Sequence, residues 1–316
     1  FVCQGKFDQA LFEIEEALSL EPNNPINTRS LGTVYHIKGD FETAEQIYKS
    51  LLENENPAFR SDGRLRLSRL YLSQGKNEKA IDEIEKGIAL SREFDLKYDV
   101  SDFLLFFGYL NIRLNRYAQA IETLDLAIQT AKESGAKENE QVALHYRGIA
   151  QVRMNTIDEA EKTAEQLKQL IEKTGNRKFL RHYHHLMGTI SLAHGRIPDA
   201  EQEFLAAISG LSSHMYTFYY HSLFVEALAS VYYKTQDSAK AQREYERIMS
   251  FPYGRIHFGD IYAKSFYILG KINDENGSKS KAIEHFQKFL DLWKDADPGI
   301  AELKDARKRL AGLVDN

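Results

Sequence analysis

Small residues recur along this chain on a nearly fixed beat, and large apolar side chains fill the places between them. Ala10, Ala44, Ala80, Ala120, Ala160, Ala200, Ala241 and Ala282 stand 34, 36, 40, 40, 40, 41 and 41 residues apart. Gly32, Ser68, Gly108, Gly148, Gly188, Ala229 and Gly270 each lie twelve residues ahead of one of these alanines. Leu31, Tyr35, Tyr48 and Leu51 of one unit, and Leu269, Phe286 and Phe289 of the last, follow helical spacing. The pattern predicts tandem helical hairpins whose two helices cross so closely that only Gly, Ser or Ala fits at the crossing. Between the helices falls a residue suited to the left-handed conformation that ends a helix: Gly5, Gly39, Gly75, Asn115, Asn155, Gly195 or Gly277, with Gln236 the exception in kind. An acid such as Asp40, Asp158 or Asp237 then opens the second helix as cap or first-turn residue.

The order Leu31, Gly32, Tyr35, Gly39, Ala44, Tyr48, Leu51 and Pro57 resembles the tetratricopeptide (TPR) repeat, and eight such matches run the length of the chain. The resemblance implies an all-α, right-handed α-solenoid of about eight hairpins closed by a capping helix. From about residue 101 the units run six or seven residues over the usual 34, similar to the longer repeats of kinesin light chains, polarity adaptors and bacterial peptide-sensing regulators. The added residues, as in 129–141, are mostly good helix formers, so longer helices are expected in place of long loops. The domain expectation is one superhelix over 1–316: a truncated first repeat at 1–20, seven repeats over 21–297 and a capping helix at 299–314. Leu303, Leu310 and Leu313 lie on one side of that last helix and would cover the apolar face a solenoid otherwise exposes. Because Phe1 falls at the eleventh position of its repeat, the chain reads as a piece of a longer protein. Its closing segment is similar to TPR regions appended to bacterial kinases, cyclases and winged-helix regulators.

Composition narrows the partners. The chain has 316 residues, beyond the roughly 250–300 at which a single core stops growing, and a stacked array escapes that limit. No apolar run approaches the ~20 residues of a membrane span. One cysteine, Cys3, cannot form an internal disulfide, and a cytoplasmic location is the expectation. A net charge of -5 has the wrong sign for a general nucleic-acid binder.

The TPR register, by resemblance, turns particular positions of each first helix toward a concave groove. The partner-binding candidates there are Arg29, Arg69, Leu105, Tyr109, Arg113, His145, Ile149, Arg153, His182, His185 and Tyr233. Arg29, Arg69, Arg113 and Arg153 come from successive units, interleaved with aliphatic positions such as Ile112. An arginine fork pairs with carboxylate or phosphate, so the row suits an acidic peptide with apolar anchors. The alternative is that these arginines are solvated or paired with Asp62 and Asp102. The asparagines of the carboxylate-clamp TPRs are missing at the corresponding positions, which argues against chaperone C-termini as ligands.

His182 and His185 share a helical face, and with His145 a three-nitrogen metal site is conceivable; no acid or cysteine joins them, and ordinary groove or packing histidines are the expectation. The aromatic run Tyr216, Phe218, Tyr219, Tyr220 and Phe224, followed by Tyr232 and Tyr233, reads as packing between units, with a partner-facing patch the alternative. No Gly-rich phosphate loop or GxSxG elbow occurs, so neither catalysis nor a cofactor is expected. The functional expectation is a protein or peptide interaction module. The alternative is a regulatory or sensory region of a larger bacterial signalling protein, and a self-associating scaffold stands third.

Overall fold

The computed structural model describes residues 1–209 and 220–314, the side chain of Cys3 excepted. Those residues form helices and turns without a strand. A lone helix α1 (Phe7–Leu20) is followed by six hairpins: α2 (Pro25–Lys38) with α3 (Phe41–Ser50), α4 (Pro57–Ser73) with α5 (Asn77–Glu93), α6 (Lys97–Arg113) with α7 (Tyr117–Ser134), α8 (Lys137–Arg153) with α9 (Ile157–Thr174), α10 (Leu180–Ala193) with α11 (Ile197–Ser209), and α12 (His221–Lys234) with α13 (Ser238–Met249). A four-residue helix α14 (Gly254–His257) precedes the last hairpin, α15 (Gly259–Glu275) with α16 (Lys279–Leu292), and α17 (Ala301–Val314) follows it.

One short stretch of sequence shows how a hairpin is specified. Asn24 accepts hydrogen bonds from the backbone N–H groups of Ile26 (2.9 Å) and Asn27 (3.3 Å), and Pro25 occupies the first helical position, so α2 starts there. Gly39 ends it at φ 86°, a region closed to most side chains. Asp40 then accepts from the Thr43 N–H (3.1 Å) and starts α3. All eight turn positions read from the sequence take the left-handed conformation, Gln236 among them at φ 62°. Asp95, Gly135 and Gly175 do the same between hairpins, a second turn series that the alanine beat does not reveal.

The small residues meet the large ones sixteen positions on. A Cβ built at Gly32 would lie 2.6 Å from the Tyr48 ring, one at Gly188 2.6 Å from Phe204, and one at Gly270 2.6 Å from Phe286. All three rings are fully enclosed, so the glycines hold room for them. Gly148 varies the rule in a telling way. Its sixteenth successor is the small Ala164, and the space is taken by Leu186 of α10, whose Cδ2 would stand 2.5 Å from that Cβ.

The chain divides into two compact units. The first comprises Phe1–Glu55, Arg66–Asp82 and Ser213–Asn316, and the second Asn56–Leu65 and Glu83–Ser212. In the second, α6 through α11 stack as successive hairpins, with α6 beside α8 and α8 beside α10. Helices α6 to α9 run 17 or 18 residues, against 14 and 10 for α2 and α3.

In the first unit, residues some 220 positions apart in sequence are joined. Trp293 Nε1 donates to the Ser73 carbonyl (3.1 Å), the Asp297 N–H donates to the Gly75 carbonyl (3.1 Å), and the Glu78 N–H donates to the Asp297 carboxylate (3.1 Å). Arg255 donates from Nη1 to the Ile37 carbonyl (3.0 Å) and lies over the Tyr262 ring. Gly259 faces Ser73 so closely that a Cβ there would collide with its hydroxyl. Phe41 of α3 packs against the cluster of Phe286, Phe289, Trp293 and Leu303 that α15, α16 and α17 build. Three side-chain links fasten α17 to α15: Lys264 to Glu302 (2.7 Å), Tyr267 to Asp305 (2.8 Å) and Arg309 to Asp274 (2.8 Å).

Candidate binding surfaces

In the second unit, first helices lying side by side carry the candidates from the middle of the chain. Leu105, Tyr109, His145, Ile149, His182 and His185 are all buried there. Tyr109 packs on Tyr146 (5.6 Å between ring centres), and His182 stacks on Phe179 (4.9 Å). The His145 and His185 rings share a hydrogen bond of 2.8 Å between Nε2 and Nδ1, and His182 meets His145 edge-on at 5.0 Å. Removal from water is the largest influence holding all three imidazoles below their ordinary range. The charge of His185 adds to the effect on His145, and that of Arg153 to the effect on His185, which is brought to about 3. At neutral pH they are uncharged packing and hydrogen-bonding groups. Among the described residues, no group of three or more His, Cys, Asp or Glu is arranged to hold a metal ion.

The two arginines of this unit are placed differently. Arg113 is the last residue of α6 and half-buried, while Arg153 is the last residue of α8 and exposed. A cation at a helix C-terminus is favoured by the carbonyl end of the helix dipole, and both arginines end first helices of successive hairpins. Beside them, Ile112 and Val152 are half-buried against the cluster of Ile149, Ala160, Leu186 and Ile190. Asp102 accepts a hydrogen bond from Asn139 (3.0 Å).

Arg29, Arg69 and Tyr233 belong to the first unit. Arg29 lines a cavity of about 410 Å³ together with Arg66, Tyr253, His257, Glu13 and the apolar Ala10, Ile14 and Val34. Arg66 and His257 were not among the sequence candidates, since Arg66 falls off the expected inward register and His257 sits in the α13–α15 connection. Removal from water, followed by the charges of Arg69 and Arg66, holds His257 well below the ordinary imidazole range. The half-buried Tyr233 ring has the Lys271 ammonium 5.2 Å from its centre.

A smaller cavity of about 100 Å³ is lined by His36, Ser73, Arg255, Lys38 and Lys288. The Ser73 hydroxyl lies 2.9 Å from the Arg69 carbonyl, 3.2 Å from the Arg255 carbonyl and 2.9 Å from His36 Nε2. With two carbonyls to receive its one proton, Ser73 accepts from His36, which places the imidazole proton on Nε2. Burial, then Arg66 and Arg69, bring His36 to about 3.

Of the aromatic run, Tyr216, Phe218 and Tyr219 lie outside the described residues. Tyr220 stacks on Phe224 (6.2 Å), and Phe224 and Tyr232 are buried, so the described part packs inward. Across the described residues no helix is long and apolar enough to cross a membrane.

Residues 1–59 and 65–136 match the family model for the tetratricopeptide repeat. No curated protein matches the chain. Among the solved structures that share its fold are three with TM-scores above 0.5. The human IFIT1 dimer with m7Gppp-AAAA aligns at TM-score 0.54 and 14% identity, over 96% of this chain and 68% of that one. Yeast Tom70 aligns at 0.53 and 15% identity, over 98% and 58%. A signal-transduction ATPase with a tetratricopeptide repeat sensor, from Pyrococcus horikoshii, aligns at 0.53 and 12% identity, over 97% and 46%. The chain therefore spans less than two thirds of the last two proteins, and at these identities the likeness concerns the fold. Residues 1–59 and 65–136 thus carry tetratricopeptide repeats, and the later hairpins, which cross at a small residue in the same way and pack in succession, share that fold.

Proposed function

We propose that the chain is a protein-interaction scaffold that holds an acidic partner segment along the edge of the second unit where Arg113 and Arg153 end neighbouring helices. The observation that carries this reading is their common register on α6 and α8, with half-buried Ile112 and Val152 beside them. Packed helices lie about 8–10 Å apart, and an extended peptide advances about 3.3 Å per residue. Two carboxylates three positions apart in an extended segment therefore match the two guanidinium forks, and an aliphatic side chain between them meets Ile112 and Val152. The buried Leu105, Tyr109, His145, Ile149, His182 and His185 act here as the rigid bed behind that edge, which lowers the ordering cost of binding. Such a module performs no bond chemistry of its own.

The test is fluorescence polarisation with labelled peptides that carry two Asp residues at separations of two to five, with leucine between. The reading expects tightest binding at a separation of three, and at least tenfold weaker binding by Arg113→Glu/Arg153→Glu with unchanged helical content. Binding indifferent to acid spacing, or unaffected in the double variant, overturns it.

A further inference from the structure

We propose that the 100 Å³ cavity of the first unit binds one inorganic phosphate ion, held by Arg255 and Lys288 and recognised through its own proton by His36. The site belongs to a different unit from Arg113 and Arg153 and does not depend on the partner edge described above. Size sets the first limit. One water needs about 10–15 Å³ of such volume and small-molecule sites begin near ~300 Å³, so the space suits a single ion of a few atoms.

Charge sets the second. The lining carries Lys38, Arg255 and Lys288 and, among the described residues, no Asp or Glu. Lys38 is already paired with Asp8 (2.9 Å) and is not counted as a donor. Arg255 is fixed in place, because Nη1 donates to the Ile37 carbonyl (3.0 Å) and Nη2 to the Met249 carbonyl (3.2 Å), yet its Nε–H is buried without a hydrogen-bond partner. A buried donor of this kind calls for an acceptor, and the chain supplies none. The Lys288 ammonium is exposed and forms no ion pair with another described residue. Gly259, the first residue of α15, also lines the space and adds the positive end of that helix.

His36 selects among anions. It gives its one proton, on Nε2, to Ser73, so Nδ1 is left as a lone pair that is buried without a partner. Burial and the charges of Arg66 and Arg69 keep the ring uncharged at neutral pH. The cavity thus pairs an unmet donor with an unmet acceptor. Near neutral pH phosphate answers both, since it keeps a proton that sulfate has lost, whereas sulfate leaves Nδ1 unpaired. A site built around a ligand's proton rejects the analogue that lacks it. The lining draws on α2, on Ser73 at the end of α4 and on α14 to α16, so a bound ion joins distant stretches of sequence and stabilises the unit by mass action.

The experiment is isothermal titration of the chain, near neutral pH in a phosphate-free buffer, with inorganic phosphate and separately with sulfate, supported by thermal unfolding. Wild type is expected to bind phosphate saturably and sulfate about tenfold more weakly or worse. Both ions raise the thermal midpoint through exclusion from the protein surface, so the excess seen with phosphate reports the site. Arg255→Gln should abolish phosphate binding. Because that change also removes two backbone links, the decisive variant is Lys288→Gln, an exposed position, which should weaken phosphate about tenfold with helical content intact. Lys281→Gln, on the same helix but outside the lining, should leave binding unchanged. No saturable binding at millimolar phosphate, sulfate binding as tight as phosphate, or equal behaviour of Lys288→Gln and Lys281→Gln overturns the proposal.

Discussion

Acid should loosen the first unit through His36, and the chain's single tryptophan stands where it can report the change. His36 Nε2 donates to Ser73, and the Ser73 carbonyl accepts from Trp293 Nε1. The imidazole is enclosed, lies edge-on to Phe41 (5.9 Å) and Tyr48 (6.3 Å), and faces Arg66 and Arg69 of α4 and Arg255 and His257 of α14, with Lys38 and Lys288 on the same small cavity. Its value falls from 6.5 in the open chain to about 3 in the fold. The unfolded chain therefore binds the proton more readily, so the stabilisation is fully present above pH 6.5 and is lost as the pH falls from there toward 3. Each pH unit in that window costs about 1.4 kcal/mol, or about 2 kcal/mol between pH 7 and pH 5 from this residue alone. That is a sizeable share of the ~5–15 kcal/mol that holds a domain folded. Urea unfolding followed by Trp293 fluorescence at both pH values, for wild type and His36→Gln, measures it. The difference between the two pH values should shrink by about 2 kcal/mol in the variant, while carboxylate and remaining histidine contributions cancel. An equal pH dependence in the two proteins would refute the assignment.

Three further outcomes follow from the packing. Gly32→Ala places a methyl 2.6 Å from the enclosed Tyr48 ring, and overpacking of this kind costs about 1–3 kcal/mol, readable as a lower thermal midpoint. Gln236→Gly relieves a side chain held at φ 62° and should stabilise by up to about 1 kcal/mol in the same assay. Trp293→Phe strands the buried Ser73 carbonyl at a cost of about 1–3 kcal/mol, and amide exchange should accelerate in α16 and around Gly75.

Much of the architecture was legible in the chain because a hairpin is a local object. The crossing glycines other than Gly148, the left-handed turn positions and the caps at Asp40 and Asp237 act over fewer than twenty residues. The candidate site was less legible. The register that marks a position as inward does not say how far the next helix covers it, so Tyr109, His145 and His185 read as groove residues and are buried, while Arg153 at the helix end is exposed.

What the sequence determined by itself is the repeat: its helices, its turns, and which small residue makes room for which ring. What the tertiary structure alone decided is that Ser73 meets Trp293 and Gly259, that Arg255 reaches the Ile37 carbonyl, and that Arg29 and Arg66 share a cavity with His257. The physical reason is that each repeat encodes only the interface with its neighbour. Which distant residues finally touch depends on small rotations summed over many such interfaces, and no single repeat carries that sum.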